Sequence, residues 1–207
     1  NIPHTVLVMD GTVTDLMNAD HVFVEDTSRT IKFFSLQEEW SIGTNLDLVS
    51  GVRYDNYSDF GDTINPRIAL VWQTSIILTT KLLYGSAFRA PSFGELGLQN
   101  TPGVLGNKDL APETIDSYEL GFNFRPQSNL QTNLNLFTYR AKDLIELVPR
   151  AAGNQAGNAR DQEGYGFEWE VNWKLNKQLR FKTSLAWQQS QDSDTNNAKA
   201  DAPGRQF

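Results

Sequence analysis

The run Tyr165-Gly166-Phe167-Glu168-Trp169-Glu170-Val171-Asn172-Trp173-Lys174-Leu175 decides the fold. Its odd positions are aromatic or aliphatic, and its even positions are glycine, carboxylate, amide and ammonium. Successive side chains of a strand point to opposite faces, so this run predicts a strand with one apolar and one polar face. The pattern restarts four residues later. Leu179, Phe181, Thr183, Leu185 and Trp187 oppose Arg180, Lys182, Ser184, Ala186 and Gln188.

Working outward, the same alternation predicts eight strands, at about 31–42, 45–57, 65–73, 76–88, 114–125, 130–140, 165–175 and 179–190. The links between them alternate in length. Tight turns are expected at Ser41–Asn45, Gln73–Ser75, Arg125–Asn129 and Leu175–Gln178, and longer links at 58–64, 89–113, 141–164 and from 191 onward. Short turns at one end of the strands and long loops at the other are the pattern of an outer-membrane β-barrel. Trp40, Trp72, Phe124, Trp173 and Phe181 fall near the tight-turn end, and Tyr54, Phe88, Tyr118, Tyr165, Phe167 and Trp187 near the long-loop end. Two such belts suit the two lipid–water boundaries, although aromatics are common in any strand.

The composition of the 207 residues agrees. With 39% hydrophobic residues there is no apolar run long enough for a membrane-spanning helix, whereas a barrel strand needs lipid-facing residues only at alternate positions. Cysteine is absent, which excludes disulfide scaffolds and thiolate chemistry. A net charge of -7 argues against nucleic acid as a partner. Asn1-Ile2-Pro3-His4 is no signal peptide, and the chain reads as an internal piece of a longer protein. The expected organisation is 1–30 as an extracellular loop region with a small hairpin around Asp10-Gly11, 31–190 as barrel strands, and 191–207 as a truncated extracellular loop. His21–Glu25 is a further candidate strand, and Phe207, with no alternating run before it, reads as a coincidence of truncation.

Two blocks carry a family resemblance. Leu83-Tyr84-Gly85-Ser86-Ala87-Phe88-Arg89-Ala90-Pro91-Ser92-Phe93-Gly94-Glu95-Leu96 resembles the strand-to-loop transition of TonB-dependent receptors. Gly106-Asn107-Lys108-Asp109-Leu110-Ala111-Pro112-Glu113, followed by Tyr118-Glu119-Leu120-Gly121, resembles that family's next block, and Phe137-Thr138-Tyr139-Arg140-Ala141-Lys142-Asp143-Leu144-Ile145 its strand exit. The resemblance covers about 31–207. It implies an all-β fold, here an antiparallel transmembrane segment of about eight strands from a 22-stranded barrel closed by an N-terminal plug. It also implies a location in the outer membrane, among its lipids. The implied cargo is a scarce solute, a ferric siderophore first, with haem or cobalamin as alternatives. Uptake would be energised by the TonB complex through a segment outside these residues, with no enzymatic activity and no cofactor. A passive porin shares the alternation but lacks the blocks.

Within the blocks, Phe88, Arg89, Pro91, Asn107, Leu110, Pro112 and Glu113 read as architecture. Pro91 cannot donate to a ladder and ends strand pairing, Asn107 and Pro112 punctuate a turn, and Arg89 has Glu95 and Glu113 as candidate partners. Arg89, Arg150, Arg160 and Tyr165 are the expected ligand contacts, since they lie near the long-loop end and ferric siderophores are often anionic and aromatic. No metal site is expected: His4 and His21 lack carboxylates at ligand spacing, and Asp192-Ser193-Asp194 reads as solvated loop. Glu38 is the one conflict, because it shares a face with Phe34, Leu36, Trp40 and Ile42. A charge in the bilayer is costly, so a bulge or register shift that turns Glu38 inward or to an interface is expected.

Overall fold

The structure, a computed structural model, describes residues 6–9, 12–15, 27–100, 103–151, 153–192 and 205–206. Its order is β1 (Val6–Met9), β2 (Thr12–Asp15), β3 (Ile31–Ile42), β4 (Leu46–Tyr57), β5 (Gly61–Ser75), β6 (Leu78–Arg89), α1 (Phe93–Gly97), β7 (Gln99–Asn100), β8 (Val104–Leu105), β9 (Glu113–Gln127), β10 (Leu130–Arg150), β11 (Gly153–Lys174), β12 (Arg180–Asp192) and β13 (Arg205–Gln206). β1 and β2 pair antiparallel, as the Asp-Gly reading expects, although Asp10 and Gly11 themselves lie outside the described residues. So do His4, His21–Glu25, Ser193, Asp194 and Phe207.

The long strands form one open antiparallel sheet, from β3 at one edge through β4, β5, β6, β9, β10 and β11 to β12, with β13 on β12. One row across the sheet reads Trp40, Leu48, Leu70, Leu82, Leu120, Leu136, Phe167 and Trp187. The neighbouring row on the other face reads Ser41, Asp47, Val71, Lys81, Gly121, Asn135, Glu168 and Ala186. The two faces predicted from single strands thus align into sheet-wide surfaces. Many large apolar side chains remain exposed, among them Phe34, Leu36, Trp40, Leu82, Tyr118 and Phe181. Such a surface belongs against lipid. On the polar face, the ring of Tyr139 lies where a Cβ on Gly164 would stand, 2.6 Å from the ring carbon, so the absence of a side chain there lets the ring lie flat on the wall.

Three expectations are corrected. The link at 58–64 is only Ser58–Phe60 long, because β5 begins at Gly61. The loop expected at 141–164 is instead strand, since β10 runs on to Arg150 and β11 starts at Gly153. Register shifts between Ala141 and Leu144 and between Leu144 and Ile145, with Asp143 at φ 58°, break the alternation there, which is why the sequence hides the extension. Glu38 is not turned away. The β3–β4 register is unbroken from Ile31↔Tyr57 to Ile42↔Leu46, and Glu38 stays on the apolar face opposite Ser50. A glutamate on that face costs a barrel less than a lysine or arginine would.

Candidate functional site

The long connection from β6 to β9 is fastened at three places, and each uses residues of the two sequence blocks. At its base, the guanidinium of Arg89 spans two carboxylates. Nε and Nη2 donate to Glu113 at 2.6 and 2.7 Å, and Nη1 and Nη2 donate to Glu95 at 3.0 Å each. Paired forks of this kind are the strong form of ion pairing. Glu113 also accepts the Ile145 backbone N–H at 2.8 Å, which ties the clamp to β10. Glu95 closes a capping box on α1: its carboxylate accepts the Ser92 N–H at 2.7 Å, and the Ser92 hydroxyl accepts the Glu95 N–H at 3.2 Å. The Arg89 guanidinium, against the cost of partial burial and aided by Ser92, holds the Glu95 carboxyl below the usual carboxylate range.

The second fastening is Gly106-Asn107. Gly106 donates its N–H to Leu98 O at 2.6 Å, and Asn107 donates its backbone N–H to Glu95 O at 2.8 Å. A Cβ on Gly106 would stand 2.6 Å from Leu98 N and 2.7 Å from Gly97 N, so only glycine permits this approach. The Asn107 side chain accepts the Asp109 N–H at 2.9 Å, an Asx turn. Leu110 beyond it is 3% exposed, one of the few buried apolar residues in a sheet with two open faces. The loop then meets the extended β10–β11 hairpin. Asn158 accepts from Ala111 N and donates to Ala111 O and Asp143 O, Gln155 donates to Gly106 O, and β8 pairs in parallel with Asn154–Gln155 of β11.

The third is Arg29, which sequence reasoning missed. It donates to Asp59 and to Pro91 O, both at 2.7 Å. Its guanidinium also lies 5.0–5.5 Å from the ring centroids of Tyr57, Phe60 and Phe93. Tyr57 stacks on Phe60 and meets Phe88 edge-on. Pro91 is fully buried beneath this cluster. The signal in the sequence was the aromatic density at Tyr57, Phe60, Phe88 and Phe93, of which the strand reading used only Phe88, as part of a belt.

The structure therefore brings Phe88, Arg89, Pro91, Asn107, Leu110 and Glu113 into one assembly, with Pro112 half-buried beside it. It does not gather the four expected ligand contacts. Arg89 is held by its two carboxylates. Arg160 pairs with Glu146, and its buried Nε has no partner. Tyr165 stands on the apolar face, opposite Thr138 and Gln189 and edge-on to Trp187, which is a belt position and not one facing the interior. Arg150 ends β10, exposed at the hairpin tip. Among the described residues no group of histidine and carboxylate side chains could hold a metal ion.

Residues 9–207 match the family described as TonB dependent receptor-like, beta-barrel. The chain belongs to the TonB-dependent receptor family. An iron-regulated outer membrane virulence protein of Vibrio cholerae is 26% identical to it over 181 residues, 79% of this chain and 28% of that protein. A hemin receptor of Yersinia pestis is 28% identical over 198 residues, 80% of this chain and 29% of that protein. The crystal structure of the siderophore receptor PirA from Acinetobacter baumannii superposes with a TM-score of 0.74 at 20% identity, covering 86% of this chain and 30% of that one. The chain thus spans less than a third of the length of these relatives. As a TonB-dependent receptor barrel it is an outer-membrane protein. Its apolar face is the lipid-facing surface, and its polar face lines the barrel interior.

Proposed function

We propose that this chain is part of the barrel wall of a receptor that takes up a ferric siderophore in a TonB-energised step. The observation that carries the reading is the loop fastened by Arg89, Glu95, Gly106 and Glu113, which shapes the family's two blocks on a wall that superposes on a siderophore receptor. Arg89 acts as a strap in this reading and not as a ligand contact. Arg150 is a cation exposed at the long-loop end for an anionic cargo. A haem cargo is the second reading, favoured by the likeness to a hemin receptor over 80% of the chain.

The deciding experiment is a titration of the intact receptor with ferric siderophores, haem and cobalamin, followed by uptake in cells with and without TonB. Saturable siderophore binding and TonB-dependent uptake are expected. Saturation by haem or cobalamin alone would move the cargo, and uptake that persists without TonB would sink the energised mechanism.

A further inference from the structure

The unbroken β3–β4 register leaves Glu38 on the lipid-facing surface, opposite Ser50 and one same-face position from Trp40. Among the described residues of the long strands, it is the one charged side chain on that surface below the long-loop end. The other charges there begin with the rows Lys32↔Asn56↔Asp62 and Asp116↔Arg140↔Glu163, all at the long-loop end. Lys32, the cation on the same face of β3, is ~20 Å away along the strand. The Glu38 carboxylate forms no ion pair among the described residues. An ionised group on a lipid-facing surface is costly and calls for a partner. Glu38 stands before Trp40 and Ile42 at the end of β3, ~13 Å along the strand from that end and, at a strand tilt of ~35–45°, ~10 Å above it in height. Trp40 lies between, in the belt where indole rings meet lipid headgroups.

We propose that Glu38, Ser50 and Trp40 form a site on the outside of the barrel for the headgroup of an aminophospholipid. Charge complementarity carries the assignment: a primary ammonium brings the missing positive charge together with N–H donors, and charge-assisted hydrogen bonds are the strong ones. A choline headgroup has the charge but no N–H, and an anionic headgroup is repelled. Extended toward Trp40, one same-face step of ~6.6 Å away, the carboxylate reaches headgroup level. The Ser50 hydroxyl, directly across the ladder, and the Trp40 indole N–H are the donors beside it for the adjoining phosphate. A lysine of another protein segment is the competing cation. On this surface it would cost the barrel more than glutamate does, whereas a lipid carries its own ammonium to the belt.

The test uses the intact receptor in membranes containing phosphatidylethanolamine, treated with a lipid-soluble carbodiimide, which joins a carboxylate to a primary amine as an amide. Peptide mass spectrometry should find Glu38 joined to phosphatidylethanolamine, severalfold more often than Asp116 or Glu163 on the same surface. Glu38→Gln should abolish that adduct. In nanodiscs of mixed lipid, the wild-type receptor should also retain phosphatidylethanolamine severalfold over phosphatidylcholine on transfer to detergent, and Glu38→Gln should lose the preference. The wild-type adduct decides the matter even where the variant fails to assemble. Absence of a Glu38 adduct, or equal adducts at Asp116 and Glu163, overturns the proposal. A Glu38 cross-link to a lysine within the receptor or in a second copy would assign the charge to protein pairing and overturn it as well. So would phosphatidylcholine or phosphatidylglycerol retained as strongly as phosphatidylethanolamine.

Discussion

The two ends of the sheet are built from the same strands and treat charge in opposite ways. At the long-loop end the chain supplies its own counter-charges: Arg29–Asp59 at 2.6 Å, Arg53–Asp55 at 2.7 Å, Arg89 with Glu113 and Glu95 at 2.6 and 3.0 Å, and Arg160–Glu146. At the tight-turn end Arg125, Lys174, Arg180 and Lys182 line one groove with no carboxylate. Between them an apolar row from Trp40 through Leu82 and Leu120 to Trp187 crosses the sheet. An end that completes its own electrostatics is fixed in shape by this sequence. An end that does not leaves its four cations exposed on the polar face.

The comparison breaks most sharply at Arg53. Asp55 is fully buried and takes three hydrogen bonds from the Arg53 guanidinium, which also lies 4.6 Å from the Phe33 ring centroid. Removing Arg53 strands the buried charge of Asp55, so Arg53→Met should give the largest loss of stability among these substitutions, moderated because Arg53 itself is half-exposed. Thermal unfolding of the receptor in detergent measures it; a cost near zero would mean that Asp55 has another partner. Gly106→Ala comes next. Its new Cβ collides with backbone and not with a side chain that could move, so about 2 kcal/mol of local stability should be lost. Limited proteolysis should cut within 98–112 while the strands stay intact.

A smaller effect is expected from pH at the Arg89 clamp. The Glu95 carboxyl has a depressed folded value. Its contribution is therefore fully present above the unfolded carboxylate pKa of about 4.3 and is lost as pH falls through the lower folded value. Hydrogen exchange of the α1 amides should be insensitive to pH-driven opening down to about pH 5, then rise below about pH 4. Glu95→Gln should remove that dependence; an unchanged profile in this variant would show that another group titrates.

Most of the wall was legible because alternation is a local rule: Tyr165–Leu175 shows its faces without reference to any neighbour. The Arg89 pairing with Glu95 and Glu113 was also within reach, since all three sit in the quoted blocks. The rest depends on contacts that no window contains. Arg29 acts on Pro91, sixty-two positions away, and Asn158 on Ala111, forty-seven away. The upper halves of β10 and β11 were hidden because two register shifts scramble the period in a stretch that is nonetheless paired throughout. Tyr165 was read correctly for its face, while an aromatic near a loop suits both a belt and a ligand, so the sequence could not choose between the two.

The smallest expected effect is the one that most sharpens the contrast. Arg180→Gln with Lys182→Gln removes two charges from the tight-turn groove, where neither side chain has an ion-pair partner among the described residues. Surface changes of this kind usually shift stability by less than about 0.5 kcal/mol. Relief of the Lys174–Arg180 repulsion across the ladder should offset part of any loss. If the wall alone decides, the purified receptor should unfold at the same temperature as the wild type. A loss comparable to that of Arg53→Met would instead mean that the cations are already neutralised within the assembled receptor. The asymmetry between the two ends would then belong to residues 1–207 alone and not to the assembled receptor.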